Sequence, residues 1–215
     1  MKKIAIATLL AATTLVATAQ VKVTGKISEF VNNTETGAVS KTSLVTDPTS
    51  NITISAMENI GGGLKARVVL DTSLKANDPI SGADTKVGDR QSTIGLANSV
   101  GSIDLGRNLH SHFLAVTNND AFGTLYGSVA GDVHNLRGLR ISDGTFIALT
   151  PIAGVTATYD RTHTGVGTEA TSYSASAKLF GINAVVAQYT QGTEKSTVYG
   201  ASAKLGGAQV FYTHS

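Results

Sequence analysis

Glu58-Asn-Ile-Gly-Gly-Gly-Leu-Lys-Ala-Arg-Val-Val-Leu70 is a glycine-rich turn that runs straight into an alternating strand. Leu64, Ala66, Val68 and Leu70 fall on one face of that strand, and Lys65, Arg67 and the following Asp71 fall on the other with Val69. A water-soluble sheet would bury the apolar face in a core. A membrane barrel reverses the arrangement, with the apolar face in lipid and the charged face on a water-filled lumen. The choice between the two decides how the rest of the chain is read.

The first residues point to export. Lys2 and Lys3 precede an apolar run from Ile4 to Val16, and Ala17-Thr18-Ala19 is a small-residue cleavage motif. This predicts a signal peptide over 1–19 and a single β-barrel domain over 20–215. The apolar run is too short to cross a bilayer as a helix. Without the signal, 196 of the 215 residues remain, and the 17 basic side chains fall to 15 against 15 acidic ones. A nearly neutral mature chain gives no reason to expect a nucleic-acid partner. Cysteine is absent, so stability has to come from the fold itself. Tryptophan is absent as well, which leaves Tyr126, Tyr159, Tyr173, Tyr189, Tyr199 and Tyr212 to supply the aromatic girdles of a barrel. No later segment approaches the length of a transmembrane helix, so membrane passage would be made by strands.

The pattern predicts eleven strands, near Val21–Val31, Asn51–Met57, Leu64–Thr72, Arg90–Asn98, Ser102–Arg107, Leu139–Thr150, Val155–His163, Ser172–Phe180, Asn183–Gln191, Thr197–Leu205 and Ala208–His214. Their connectors alternate between long polar ones and short turns. Asn32–Ser50, Ser73–Asp89, Asn108–Gly138, Thr164–Thr171 and the marginal Gly192–Ser196 would emerge at one rim. Glu58–Gly63, Ser99–Gly101, Pro151–Gly154, Gly181-Ile182 and Gly206-Gly207 would emerge at the other, as in outer-membrane barrels. Tyr173-Ser-Ala-Ser-Ala-Lys-Leu-Phe-Gly181 returns 26 residues later as Tyr199-Gly-Ala-Ser-Ala-Lys-Leu-Gly-Gly207, a period of one hairpin. In Val155–Asp160, Val155, Ala157 and Tyr159 oppose Thr156, Thr158 and Asp160, whereas Asn183–Gln191 alternates poorly.

Three segments in this order carry a resemblance: Glu58-Asn-Ile-Gly-Gly-Gly-Leu-Lys-Ala66, Asp89-Arg-Gln-Ser-Thr-Ile-Gly-Leu96 and Val100-Gly-Ser-Ile-Asp-Leu-Gly-Arg-Asn108. Together they resemble the general diffusion porins of Gram-negative bacteria, most closely over Glu58–Asn108. The resemblance implies an all-β, antiparallel up-and-down barrel of sixteen strands in full. It implies an outer-membrane homotrimer in contact with lipid and lipopolysaccharide, passing small hydrophilic solutes without a cofactor or catalysis. It also implies that a strand ending Gly-Arg-Asn leads into a third external loop, here Leu109–Arg137, that folds back inside the barrel.

In such a waist, acids on the loop face bases on the wall, and their field filters solutes. Asp120 and Asp132 are the acids between Asn108 and Arg137 and are the loop candidates, although they also read as solvated loop acids. Alternation selects Lys26, Lys65 and Arg67 for the wall. Arg107 enters from the family motif alone, because alternation groups it with Ile103 and Leu105 on the lipid side. Arg90 conflicts in the same way with Ile94 and Leu96. Where many porins of this kind carry an arginine early in the second strand, this chain has Asn51.

Other chemistry is weakly supported. His110, His112, His134, Ser111 and Asp132 share the long loop, but such residues are usually solvated, and the spacing of His110 and His112, without further ligands, is weak evidence for a metal site. The triple glycine Gly61–Gly63 is not followed by a helical pattern, so it reads as a turn and not a phosphate loop. Eleven strands ending at Thr213-His214-Ser215, without a terminal phenylalanine, read as roughly the N-terminal two-thirds of such a barrel. The alternative readings are a secreted soluble β protein of the adhesin or carbohydrate-binding kind and an inactive partial chain.

Overall fold

The computed structural model describes residues 20–37, 39–47, 49–74, 86–121, 140–163 and 169–214. In chain order, β1 (Gln20–Lys26) is followed by the hairpin β2 (Glu29–Thr36) and β3 (Val39–Thr46). Then come β4 (Asn51–Gly61), β5 (Leu64–Ser73), β6 (Gln91–Ala97), β7 (Gly101–Leu109) and the helix α1 (Ser111–Asn118). The chain continues with β8 (Arg140–Leu149), β9 (Val155–Thr162), β10 (Ala170–Leu179), β11 (Ile182–Gln191), β12 (Glu194–Leu205) and β13 (Ala208–His214). One eleven-stranded sheet holds β1 and β4 to β13, each strand antiparallel to its neighbour and, after β4, in sequence order. This is the meander of an up-and-down barrel; among the described residues β1 and β13 remain its two edges.

The β2–β3 hairpin is a separate two-stranded sheet, lying where the sequence suggested one long first strand followed by a polar connector. Buried Ser50 explains the departure. The Ser28 N–H donates to Ser50 Oγ at 3.0 Å, Ser50 Oγ donates to Ser28 O at 3.2 Å, and the Asp47 N–H donates to Ser28 O at 2.8 Å. These bonds use the backbone of Ser28 to close the base of the hairpin, so the chain leaves the sheet after Lys26. A second departure is the connector after β11, which shrinks to Gly192-Thr193, with Gly192 at φ 60°. The long-short alternation therefore fails at that one place.

A single row of paired residues defines the inner face: Gln20, Met57, Arg67, Gly95, Asp104, Phe146, Asp160, Ser172, Tyr189 and Ser196, each the Cα partner of the next. Side chains alternate sides along every strand, so neighbours two positions away share that face. The opposite face carries Val23, Ile54, Val68, Ile94, Leu105, Ile147, Val186 and Val210, all solvent-exposed; Ile94 is 63% and Val23 61% accessible. An apolar surface of this extent is a lipid contact and not a monomer's water-facing side. Among the described residues no helix is long and apolar enough to cross a membrane.

Tyr159, Tyr173, Tyr199 and Tyr212 stand exposed on the outer face. Tyr159 and Tyr173 are direct partners, Tyr199 pairs with Val186 in the row of Ala157 and Ala175, and Tyr212 lies in the row of Ala201, Ala184 and Ala177. After the Tyr159–Tyr173 pair, Tyr199 and then Tyr212 step down the ladder as the strands advance, as expected for a belt at constant membrane depth across tilted strands. Tyr189 is not part of this girdle; it is buried on the inner face. Tyr126 lies outside the described residues. The repeat also has a structural meaning, because Phe180 and Gly206 take the same left-handed turn position at φ 52° and 61°. A bulky side chain there costs more than glycine does.

Candidate pore wall and inner loop

The charged wall is built on β1 and β4 to β7. Lys26 pairs with Asn51 at one end of β4, and Lys65 pairs with Asn59 near the other. Eight positions of β4 separate those partners, about 27 Å along a strand. Lys26 and Lys65 therefore share a face but lie at opposite ends of the sheet. Arg67 lies between them and reaches over β6 to Asp104, with Nε 2.8 Å from Oδ1. Gly95 makes that crossing possible, because a Cβ at this position would collide with Asp104 Oδ1 and with the Ile103 carbonyl. Asp104 is itself legible, as the one acid opposite Ile103 and Leu105, yet it was not among the expected wall residues.

Nearer the loop rim, Asp71 accepts from Asn51 Nδ2 at 2.5 Å, Thr53 Oγ1 at 2.9 Å and Arg90 Nε at 3.0 Å. The Arg90 side chain thus reaches the inner face, a position that alternation alone placed with Ile94. Arg107 keeps Ser92 as its β6 partner, in register with the Leu105–Ile94 pair, so it stays on the Leu105 side even though Gly106 begins a bulge against β8. Its Nε donates to Asp89 O at 2.6 Å and its Nη1 to Ser142 Oγ at 2.5 Å. Arg140 donates from Nε to Arg90 O at 2.6 Å. Two guanidinium groups thereby fasten the base of the β5–β6 connector. Asp89 completes the fastening by accepting from Ser73 N at 2.8 Å and Ser73 Oγ at 2.6 Å. Burial pushes the Asp89 carboxyl up, but the Ser73 hydrogen bonds and the charges of Arg90 and Arg140 outweigh it and hold it below its ordinary value.

The long connector after β7 turns onto the inner face. His110, Ser111 and His112 are buried, and α1 lies against β9 to β12. Asp160 on β9 accepts the Ser111 N–H at Oδ1 (2.6 Å), while Oδ2 lies 3.1 Å from His110 Nδ1. Ser172 Oγ accepts the His112 N–H at 2.8 Å, and His112 Nε2 lies 3.2 Å from Ser196 Oγ. Tyr189 meets His110 edge to face at 4.9 Å between centroids. Beyond this polar end, Ala115 packs with Val185 and Ala187, and Val116 with Val198. Gly200 leaves room for Asn119, which a Cβ would approach at 3.1 Å. Thr213 Oγ1 donates to Asn119 O at 3.1 Å.

Asp120 follows directly after Asn119, the C-cap of α1, and its N–H donates to Thr117 O at 3.4 Å. Asp132 and His134 lie outside the described residues. Among the described residues the histidine, serine and acid groups do not converge on one triad. Asp160 orients His110, whereas the serine hydroxyl beside an imidazole is Ser196 at His112. Among the described residues no group of three metal-ligating side chains forms a metal site.

The chain resembles solved barrels along most of its length. An anion-selective porin from Comamonas acidovorans superposes with a TM-score of 0.63 at 19% identity, covering 91% of this chain and 78% of that one. A mutant of the Rh. blastica porin superposes with a TM-score of 0.62 at 16% identity, covering 90% and 73%. No curated protein sequence matches. At these identities the superpositions establish the fold, an outer-membrane β-barrel. The sequence profile of the Gram-negative porins matches residues 7–214, and the chain belongs to that family of outer-membrane channels.

Proposed function

We propose that small hydrophilic solutes and ions pass between α1 and the uncovered inner wall of β4 to β7, and that the charges on the two sides filter them. The observation that carries this reading is the unequal use of one sheet face. Over β9 to β12 that face is filled by a helix, and over β4 to β7, outside the seat of α1 among the described residues, it carries Lys65, Arg67, Asp71 and Asp104. Arg67 and Asp104 neutralise one another in large part, so the net field of the wall comes from Lys26 and Lys65 and from the arginines at the loop rim. Asp120 and Asp132 supply the opposing negative side. The functional unit is a homotrimer in contact with lipopolysaccharide, a reading that rests on resemblance to other porins.

The test is ion selectivity in planar bilayers. Replacing Asp120→Asn together with Asp132→Asn moves the reversal potential in a salt gradient toward anion preference. An unchanged reversal potential removes both acids from the filter.

A further inference from the structure

We infer that Asp160 is the positioning residue that latches the inner loop to the barrel wall, acting through the first turn of α1. An eight-residue helix has little stability of its own, because nucleation is costly and few bonds repay it. Its cap residue, His110, makes no capping hydrogen bond with its side chain. The unsatisfied N–H groups of the first turn are taken up by the wall instead: Ser111 N by the Asp160 carboxylate and His112 N by Ser172 Oγ. A negative charge at the positive end of the helix dipole favours the docked position, and the same carboxylate holds His110 Nδ1.

Asp160 is fully buried beneath the loop. Its hydration has therefore been exchanged for contacts supplied by the loop itself. Among the described residues His110 contacts it from the loop, Tyr189 of β11 packs against His110 and His112, and Ser172 and Ser196 are the neutral polar partners of His112. The apolar contacts farther along α1 are slight, with Ala115 against Val185 and Ala187, and Val116 against Val198. Removing the charge leaves those contacts and the hydrogen bonds of Ser172, Ser196 and Thr213 to hold the helix, without the bonds to the Ser111 N–H and to His110. The effect of the latch on conduction rests on the pore reading above; the latch itself does not.

The first measurement needs no current. The chain has no cysteine, so Val116→Cys introduces a single thiol at a fully buried position between α1 and β12. In full-length protein whose gel migration is heat-modifiable, this thiol reacts slowly with a maleimide. Adding Asp160→Ala raises the labelling rate at least tenfold, and Asp160→Asn, which keeps one acceptor for Ser111 N, gives an intermediate rate. Equal labelling in folded Asp160→Ala protein overturns the proposal. If Asp160→Ala does not fold, Asp160→Asn is compared with Ser172→Ala: faster labelling in the former supports the latch, and equal rates overturn it. Single-channel recording then separates the two readings. Faster labelling with unchanged current keeps the latch and overturns α1 as the element that narrows the pore.

Discussion

Two stretches of one inner face behave as different materials. Over β4 to β7 the inward positions include Lys65, Arg67, Val69, Asp71 and Asp104; Arg67 pairs with Asp104, Asp71 pairs with Arg90, and Lys65 is exposed. Over β9 to β12 they are Asp160, Ser172, Val185, Ala187, Tyr189, Val198 and Ser202, all buried, with α1 packed over β9 to β12. The sheet continues from one stretch to the other through the bulge at Gly106. The difference lies in the side chains: alanines, valines and serines leave room for a helix whose first turn meets Asp160 and Tyr189, whereas the lysine and arginine of the other stretch extend from the wall.

The contrast is broken most severely by exchanging a residue type across it. Ala187→Asp puts an unpaired carboxylate under α1 and costs on the order of 3 kcal/mol or more if the helix stays docked. The expected outcome is a helix that leaves the wall, read as new protease cleavage near α1 and a lower temperature of heat modification. Val69→Asp, at an inward position of the other wall, costs under about 1 kcal/mol because water replaces the lost contact. Equal losses in the two variants would mean that both walls are dry.

A smaller effect comes from Gly95→Val, which forces the Arg67–Asp104 pair apart and presses on the Ile103 carbonyl, with a loss of about 1–3 kcal/mol. The corresponding change Gly200→Val meets the side chains of Val185 and Asn119 at longer distances and no backbone carbonyl, and is expected to cost less. Chemical denaturation of the two proteins side by side gives the order.

The smallest effect is that of pH on the charged wall. The Asp89 carboxyl sits below its ordinary value in the folded protein, so its stabilising contribution is complete above the unfolded pKa of about 4 and is lost as pH falls through the lower folded value. Amide exchange at Ser73, whose N–H donates to Asp89, should stay slow from pH 8 to pH 5 once intrinsic rates are removed, and open only in stronger acid. Opening between pH 7 and pH 5 would contradict this assignment.

Much of the barrel was legible because a period of two writes both faces into the sequence at once. Lys26, Lys65 and Arg67 lie on the face that alternation assigned, and the tight turns at Gly61–Gly63 and Gly206-Gly207 lie where glycine marked them. The weak spots have particular causes. Asn183–Gln191 alternates poorly because Val185 and Ala187 meet α1 on one side while Ile182, Ala184 and Val186 face outward on the other. The β2–β3 hairpin was hidden because Val39-Ser-Lys-Thr-Ser-Leu-Val-Thr46 is rich in residues that also make loops. Arg90 defied alternation because its side chain is long enough to turn back to Asp71.

By itself the sequence determined the class of fold, the faces of the clearly alternating strands and the family, since these depend on local periodicity and on motifs a few residues long. Tertiary structure alone decided the pairings across long separations: Arg67 with Asp104 over Gly95, Arg107 with the Asp89 carbonyl, and His110 with Asp160. Periodicity states which side of the sheet a residue occupies. Only the register of the assembled strands states how far along that side it lies, and therefore which charge it meets.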